Sequence, residues 1–229
     1  MKIFSNNTLI KRYALLSRVL SALGLLVLIS GLAASFLRPE WVSVPFYTLL
    51  TGFMLSNTGM FLTNRYVREP RPDRAINNAT KSLDDRHRIY HYRFPTQHAL
   101  IAPSGVYSIT AKYQGGKVEW NEERKRFLHQ GVSIFRRFFG QESIGRPVLE
   151  AEADAQRLAK FLTKHFGDKA PPVFPLLVFT NPKVVFGTMK NTPIPVLKAK
   201  RLNHYLRKTP RRPSLTEGQL ATLESQWRG

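Results

Sequence analysis

No cysteine occurs in the 229 residues, so disulfides and thiolate metal sites are excluded and the chain suits a reducing compartment. Acids are scarce: 15 Asp and Glu stand against 35 Lys and Arg, a formal net charge of +20. No internal repeat, phosphate-binding glycine loop or nucleophile elbow is present, and the histidines lack metal-ligand spacing. Two long stretches lack charge altogether: 19–37, VLSALGLLVLISGLAASFL, and 41–63, WVSVPFYTLLTGFMLSNTGMFLT.

At about 1.5 Å per residue, each uncharged run is long enough to cross a hydrocarbon core of roughly 30 Å as a helix. Only Arg38-Pro39-Glu40 separates them, which predicts a transmembrane helical hairpin. Trp41 and Tyr47 suit the headgroup level, and Gly24, Gly31, Ala33 and Ala34 suit close helix contact. The first run also has features of a signal peptide, with a basic flank and small residues at Ala33-Ala34. The second, with Ser56, Asn57 and Thr58, also has features of a buried helix in a soluble core. Two equally long runs in tandem favour the hairpin. Lys2, Lys11, Arg12 and Arg18 precede it, and Arg65, Arg68, Arg71 and Arg74 follow it. The positive-inside rule then predicts a two-pass protein of a bacterial-type inner (plasma) membrane with both termini cytoplasmic.

The expected organisation is a cytoplasmic segment 1–18, the hairpin 19–63, a basic proline-broken linker 64–75, a domain 76–200, and a basic C-terminal extension 201–229. Residues 73–85 suit a short helix. RIYHYRF (88–94), HALIAP, GVYSITAKYQ and KVEW (117–120) read as a meander of antiparallel strands, with Gly105 and Gly115-Gly116 at turns. The mixed charged and aromatic order of 121–139 supports no clear assignment. Residues 147–166 read as a helix ended by Gly167, with Leu149, Ala153, Leu158, Phe161, Leu162 and Phe166 as its apolar face. Glu150, Glu152 and Asp154 early in it, and Lys160, Lys164 and His165 late, complement the helix dipole. PVFPLLVFT (172–180) reads as a buried strand. Together these predict a mixed α/β domain.

HALIAPSGVYSITAKYQGGKV resembles the centre of the nuclease-related domain (NERD) family. That family's pattern runs Asp-His, a short apolar strand, Gly-Pro-x-Gly, an apolar strand ending Glu-x-Lys, then a glycine turn. PLLVFTN (175–181), after an acidic-to-basic helix, is similar to the family's later helix and strand, so the likeness spans about 72–200. The resemblance implies a restriction-endonuclease-like fold, a mixed sheet flanked by helices, with metal-dependent phosphodiester cleavage at the ends of the central hairpin. Carried over, the family's Asp falls on Gln97, its Glu on Thr110 and its Lys on Lys112; His98 and Gly105 also match. Both carboxylates are therefore missing. Mg²⁺ is held by carboxylates and phosphate oxygens, and the metal activates the water and stabilises the transition state. An amide and a hydroxyl supply no charge for that. The expectation is a degenerate, non-catalytic site with no metal or cofactor, unless Asp73, Asp84, Asp85 or Glu119 rebuilds one beside Lys112.

Lys2, Lys11, Arg12, Arg18 and Arg38 against Glu40 leave +4 on the membrane part, so +16 of the +20 belongs to the remainder. Lys183, Lys190, Lys198, Lys200, Arg201, Arg207, Lys208, Arg211 and Arg212 occupy 183–212 with no acid among them. These nine are the candidate binding residues. Their partners are expected to be membrane lipids or other membrane protein subunits. Nucleic acid is the alternative, with Tyr205 and His204 interleaved for stacking, and no small-molecule substrate is evident. In the tail, Leu215, Leu220, Leu223 and Trp227 suit docking on a partner or on the domain itself. The expected function is a membrane-anchored pseudo-nuclease acting as a binding or accessory module, a subunit of a larger membrane complex. The alternatives are a tethered nuclease with relocated carboxylates and a membrane anchor for nucleic acid.

Overall fold

The computed structural model describes residues 1–130 and 144–226. The chain divides into two compact units: Asn7–Arg71, and a second made of Met1–Asn6 together with the chain from Pro72 onward.

The first unit is a pair of helices, α1 (Asn7–Leu37) and α2 (Ser43–Tyr66). Their buried positions recur every seven residues: Ile10, Ser17, Gly24 and Gly31 on α1, and Gly52, Gly59 and Tyr66 on α2. A seven-residue repeat is the spacing that keeps one seam of two helices in register. Here the seam is made of glycine and serine, so the backbones approach closely. A Cβ on Gly52 would stand 2.7 Å from Leu28 Cγ and 3.0 Å from the carbonyl of Gly24. A Cβ on Gly59 would stand 2.8 Å from the Ser21 nitrogen. Small residues at such contacts characterise helix association in lipid. Gly24 and Gly31 occupy the seam as expected, whereas Ala33 points outward and Ala34 is half-buried.

Large apolar side chains cover the outside of the pair, among them Leu26, Phe36, Phe46 and Phe53, each more than 60% exposed. A buried helix of a soluble core would show the opposite. By length and hydropathy, α1 is the one helix among the described residues apolar enough to cross a membrane. In α2 the polar run Ser56-Asn57-Thr58 dilutes the apolar character.

The second unit is built on a six-stranded mixed sheet in the order β1-β2-β3-β4-β7-β9. β1 (Lys2–Ser5) pairs in parallel with β2 (Arg88–His91). β2, β3 (His98–Ala102) and β4 (Gly105–Lys112) form the expected antiparallel meander. β7 (Val173–Phe179) and β9 (Val196–Lys198) continue the sheet in parallel from β4. The fourth expected strand leaves it: β5 (Gly116–Asn121) pairs with β6 (Arg126–Gln130) and β8 (Val184–Phe186) in a separate three-stranded sheet. Residues 131–139 of the unassigned segment, and Trp227, lie outside the described residues.

Helices cover both faces of the large sheet. On one, α3 (Pro72–Thr80) and α5 (Leu202–Lys208) bury Ile76, Leu202 and Leu206 against Ile89, Leu100, Tyr107 and Ile109. On the other, α4 (Pro147–Phe166) and α6 (Glu217–Ser225) bury Leu158, Leu162, Leu220 and Leu223 against Tyr90, Ala99 and Val106. The alternation of β4 assigns its side chains accordingly: Tyr107, Ile109 and Ala111 toward α3 and α5, and Val106, Ser108, Thr110 and Lys112 toward α4.

Several boundaries differ from those expected. Residues 1–18 are no separate segment: 2–5 are a strand of the domain and α1 already starts at Asn7. The linker 64–75 shortens because α2 runs to Tyr66 and α3 begins at Pro72. Residues 202–225 are domain rather than extension, because α5 and α6 supply both faces of the core. Thr216 caps α6 in a reciprocal box with Gln219. Arg88, buried on β2, clamps that helix through Glu217 and through Glu224 at 2.9 Å, and the Tyr90 hydroxyl donates to the same Glu224 oxygen at 2.6 Å.

Overpacking the glycine seam costs on the order of 1–3 kcal/mol. Gly52→Val is therefore expected to destabilise the helix pair in an SDS titration in mixed micelles, and Ala33→Val, on the outer surface, to leave it unchanged. In the domain, burial and the Glu224 carboxylate raise the Tyr90 pKa above its ordinary value. The neutral phenol thus contributes stability that is complete below about pH 10 and drains as pH rises toward the folded pKa. The wild-type thermal midpoint should fall more steeply above about pH 10 than that of Tyr90→Phe.

Candidate functional site

The motif positions converge at the end of β4. Gln97 directly precedes the β3–β4 ladder, whose last pair, His98–Ile109, adjoins Thr110. Lys112 follows two residues on, on the same face. The strand end is held from β7: the Thr180 amide donates to the Lys112 carbonyl at 2.8 Å, and the Asn181 side chain donates to the Tyr113 carbonyl at 3.0 Å. Gln97, Thr110 and Lys112 are thus brought together.

What faces them comes from α4. Lys112 Nζ lies 2.6 Å from Glu150 Oε2. The Thr110 hydroxyl donates to Asp154 Oδ2 at 2.9 Å in a buried contact. The other Asp154 oxygen accepts from Arg157 at 2.5 Å. Glu150 and Asp154 are four residues apart, one turn along the same helix face. The sequence reading missed both, taking them for charges that complement the helix dipole. Of its apolar face for α4, Leu158, Phe161, Leu162 and Phe166 pack inward, but Leu149 and Ala153 are exposed, and the buried stripe runs through Ala151, Asp154, Ala155, Leu158 and Leu162. Alanines at 151, 153, 155 and 159 mark no face by themselves. The signal available was the four-residue spacing of two acids opposite a strand ending Thr-x-Lys.

The proposed substitute acids are committed elsewhere. Asp84 holds Arg86 at 2.5 Å and His87 at 2.8 Å, which keep its carboxyl below the usual range. Asp85 pairs with the terminal amine, and Glu119 with Lys117 at 3.0 Å. Asp73 is buried in the first turn of α3, on the opposite layer from α4. His98 belongs to that layer too: its Nδ1 lies 2.8 Å from His91 Nδ1, and His91 Nε2 lies 2.8 Å from Asn77 Oδ1. With Asn77 Oδ1 accepting, His91 donates from Nε2 and His98 donates to His91. His98 is a hydrogen-bonded core residue.

Chemically, the site is charge-compensated. Each carboxylate already has a cation partner, Lys112 or Arg157, and the Thr110 hydroxyl is spent on Asp154. A divalent ion bound here would have to take Glu150 from Lys112. Among the described residues, no three His, Cys, Asp or Glu side chains stand close enough together to hold a metal.

The nine basic residues separate. Lys198 is tied down, its amine 2.8 Å from the Val184 carbonyl and over the Phe186 ring. The Arg212 guanidinium lies 4.5 Å over the Phe174 ring. Lys183 and Lys190 are exposed in the segments around β8, whereas Lys200, Arg201, Arg207, Lys208 and Arg211 are exposed on and around α5.

The family model described as "Nuclease-related domain" matches residues 66–180. No curated protein and no solved structure matches the chain.

Thr110→Val keeps the shape of the side chain but removes the donor to a carboxylate that is only 10% exposed. Leaving such a group unsatisfied costs about 1–3 kcal/mol. Glu150 is 46% exposed, so Glu150→Gln should cost less than about 1 kcal/mol. Chemical denaturation of the two variants in detergent measures the difference.

Proposed function

This chain belongs to the nuclease-related domain family, and from that premise we propose that it is a membrane-anchored, non-catalytic member of the family. It serves as a binding or accessory module, a subunit of a larger membrane assembly. The observation that carries the reading is the Lys112–Glu150 pair beside Thr110–Asp154. Where the family places a carboxylate and a free lysine, this chain has a hydroxyl and a neutralised amine. The fold of the site is kept while the charge that would recruit Mg²⁺ is cancelled.

Two features support anchoring by two passes. α1 is long and apolar enough to cross a membrane, and apolar side chains of both helices face outward. β1 precedes α1 and β2 follows α2, yet the two strands pair in one sheet. A chain that crosses once in α1 must return before β2. The basic flanks at Lys2, Lys11, Arg12 and Arg18 and at Arg65, Arg68, Arg71 and Arg74 assign that side to the cytoplasm of a bacterial-type plasma membrane. Two helices joined by a glycine seam form no transport path alone, which favours an accessory role.

A second reading rests on Glu150 and Asp154. Two acids on one helix face, beside the strand that carries Lys112, are the relocated carboxylates a surviving nuclease would use. The test is cleavage of DNA and RNA by the purified full chain with Mg²⁺ or Mn²⁺. The proposal expects no metal-dependent cleavage above that of Lys112→Met. Cleavage by the wild type that is lost in both Glu150→Gln and Asp154→Asn would replace it with the second reading.

A further inference from the structure

The fold gathers one cluster of exposed cations from remote parts of the chain. α5 buries Leu202 and Leu206 against the sheet and turns the opposite side outward. Arg207 donates to the Ser82 carbonyl at 2.6 Å, and Asn203 donates to the Ser82 hydroxyl at 2.6 Å. These bonds bind the loop after α3 to α5 and bring Lys81 alongside it. Lys81, Lys200, Arg201, Arg207, Lys208 and Arg211 are all exposed on this layer. The nearest acids in sequence, Asp84 and Asp85, are taken by Arg86, His87 and the terminal amine.

We propose that this layer of α3, α5 and their connecting loop docks on the anionic phospholipid headgroups of the leaflet in which the helix pair is anchored. The inference rests on the membrane reading above. Two observations select lipid. Only five residues, 67–71, join Tyr66 of α2 to Pro72 of α3, a reach of at most about 20 Å. α3 therefore stays within a short distance of the headgroups whatever else binds. Second, of the two rings interleaved among the basic residues, Tyr205 is not presented for base stacking, which leaves only the small exposed imidazole of His204. Tyr205 is half-buried and packs edge-on to Tyr107 at 6.4 Å between centroids. Base stacking is a principal source of affinity for single strands, whereas a headgroup surface needs only clustered cations, each worth roughly fivefold in binding.

The chain has no cysteine, so His204→Cys, an exposed position on α5, accepts a single environment-sensitive dye. The labelled full chain is placed in vesicles of neutral phosphatidylcholine, and of the same lipid mixed with phosphatidylglycerol. Aqueous quencher access to the dye should fall severalfold in the anionic vesicles. The protection should vanish at about 1 M salt, where the screening length is roughly 3 Å. It should also vanish in the combined Lys81→Gln, Lys200→Gln, Arg201→Gln and Lys208→Gln variant. Equal access in both lipids, with the chain floating with the vesicles, overturns the docking surface and leaves the anchor standing. A chain that does not float with neutral vesicles overturns both. Protection by an added single-stranded oligonucleotide but not by anionic lipid assigns the surface to nucleic acid and overturns the proposal.

Discussion

Two polar side chains, Thr110 and Lys112, lie on one face of the central strand β4. A buried polar group is costly unless something across the layer answers it. α4 supplies the answer, and its rotation is set by doing so. Asp154 turns inward to accept from Thr110, Glu150 reaches Lys112 at the rim, and Leu149 and Ala153 are left outside. Ala151, Leu158 and Leu162 then meet the sheets. The charge balance of the site and the packing of the helix are one arrangement.

The same arrangement sets the charge balance at the end of β4. Asp154 supplies one carboxylate from the helix, and Arg157 and Thr110 satisfy both of its oxygens without a metal. Lys112 is paired with Glu150, so local charge is balanced between side chains of β4 and α4.

Chain connectivity constrains the rest. β1 is short, yet its pairing with β2 closes a loop that contains both long helices. That closure makes the two ends of the helix pair partners of one sheet. The glycine seam at seven-residue spacing lets the helices run back to back with little side-chain bulk between them.

Much was legible in the residues themselves. Period and turn chemistry marked the hairpin of β3 and β4, the helix 147–166 and the buried β7. The two uncharged runs marked the two long helices. These are local properties, set by spacings of two to four residues or by run length. The rotation of α4, the entry of β1 into the sheet, the docking of α6 through Arg88 and the meeting of Ser82 with Arg207 were settled only in three dimensions. Each joins residues dozens of positions apart or more. Local periodicity carries no record of such partners, and where alanines line several sides of a helix it does not identify the inner one. The sequence by itself determined which elements form and which charges exist; the tertiary structure decided which charges meet, because pairing across layers depends on which distant residues the folded chain brings side by side.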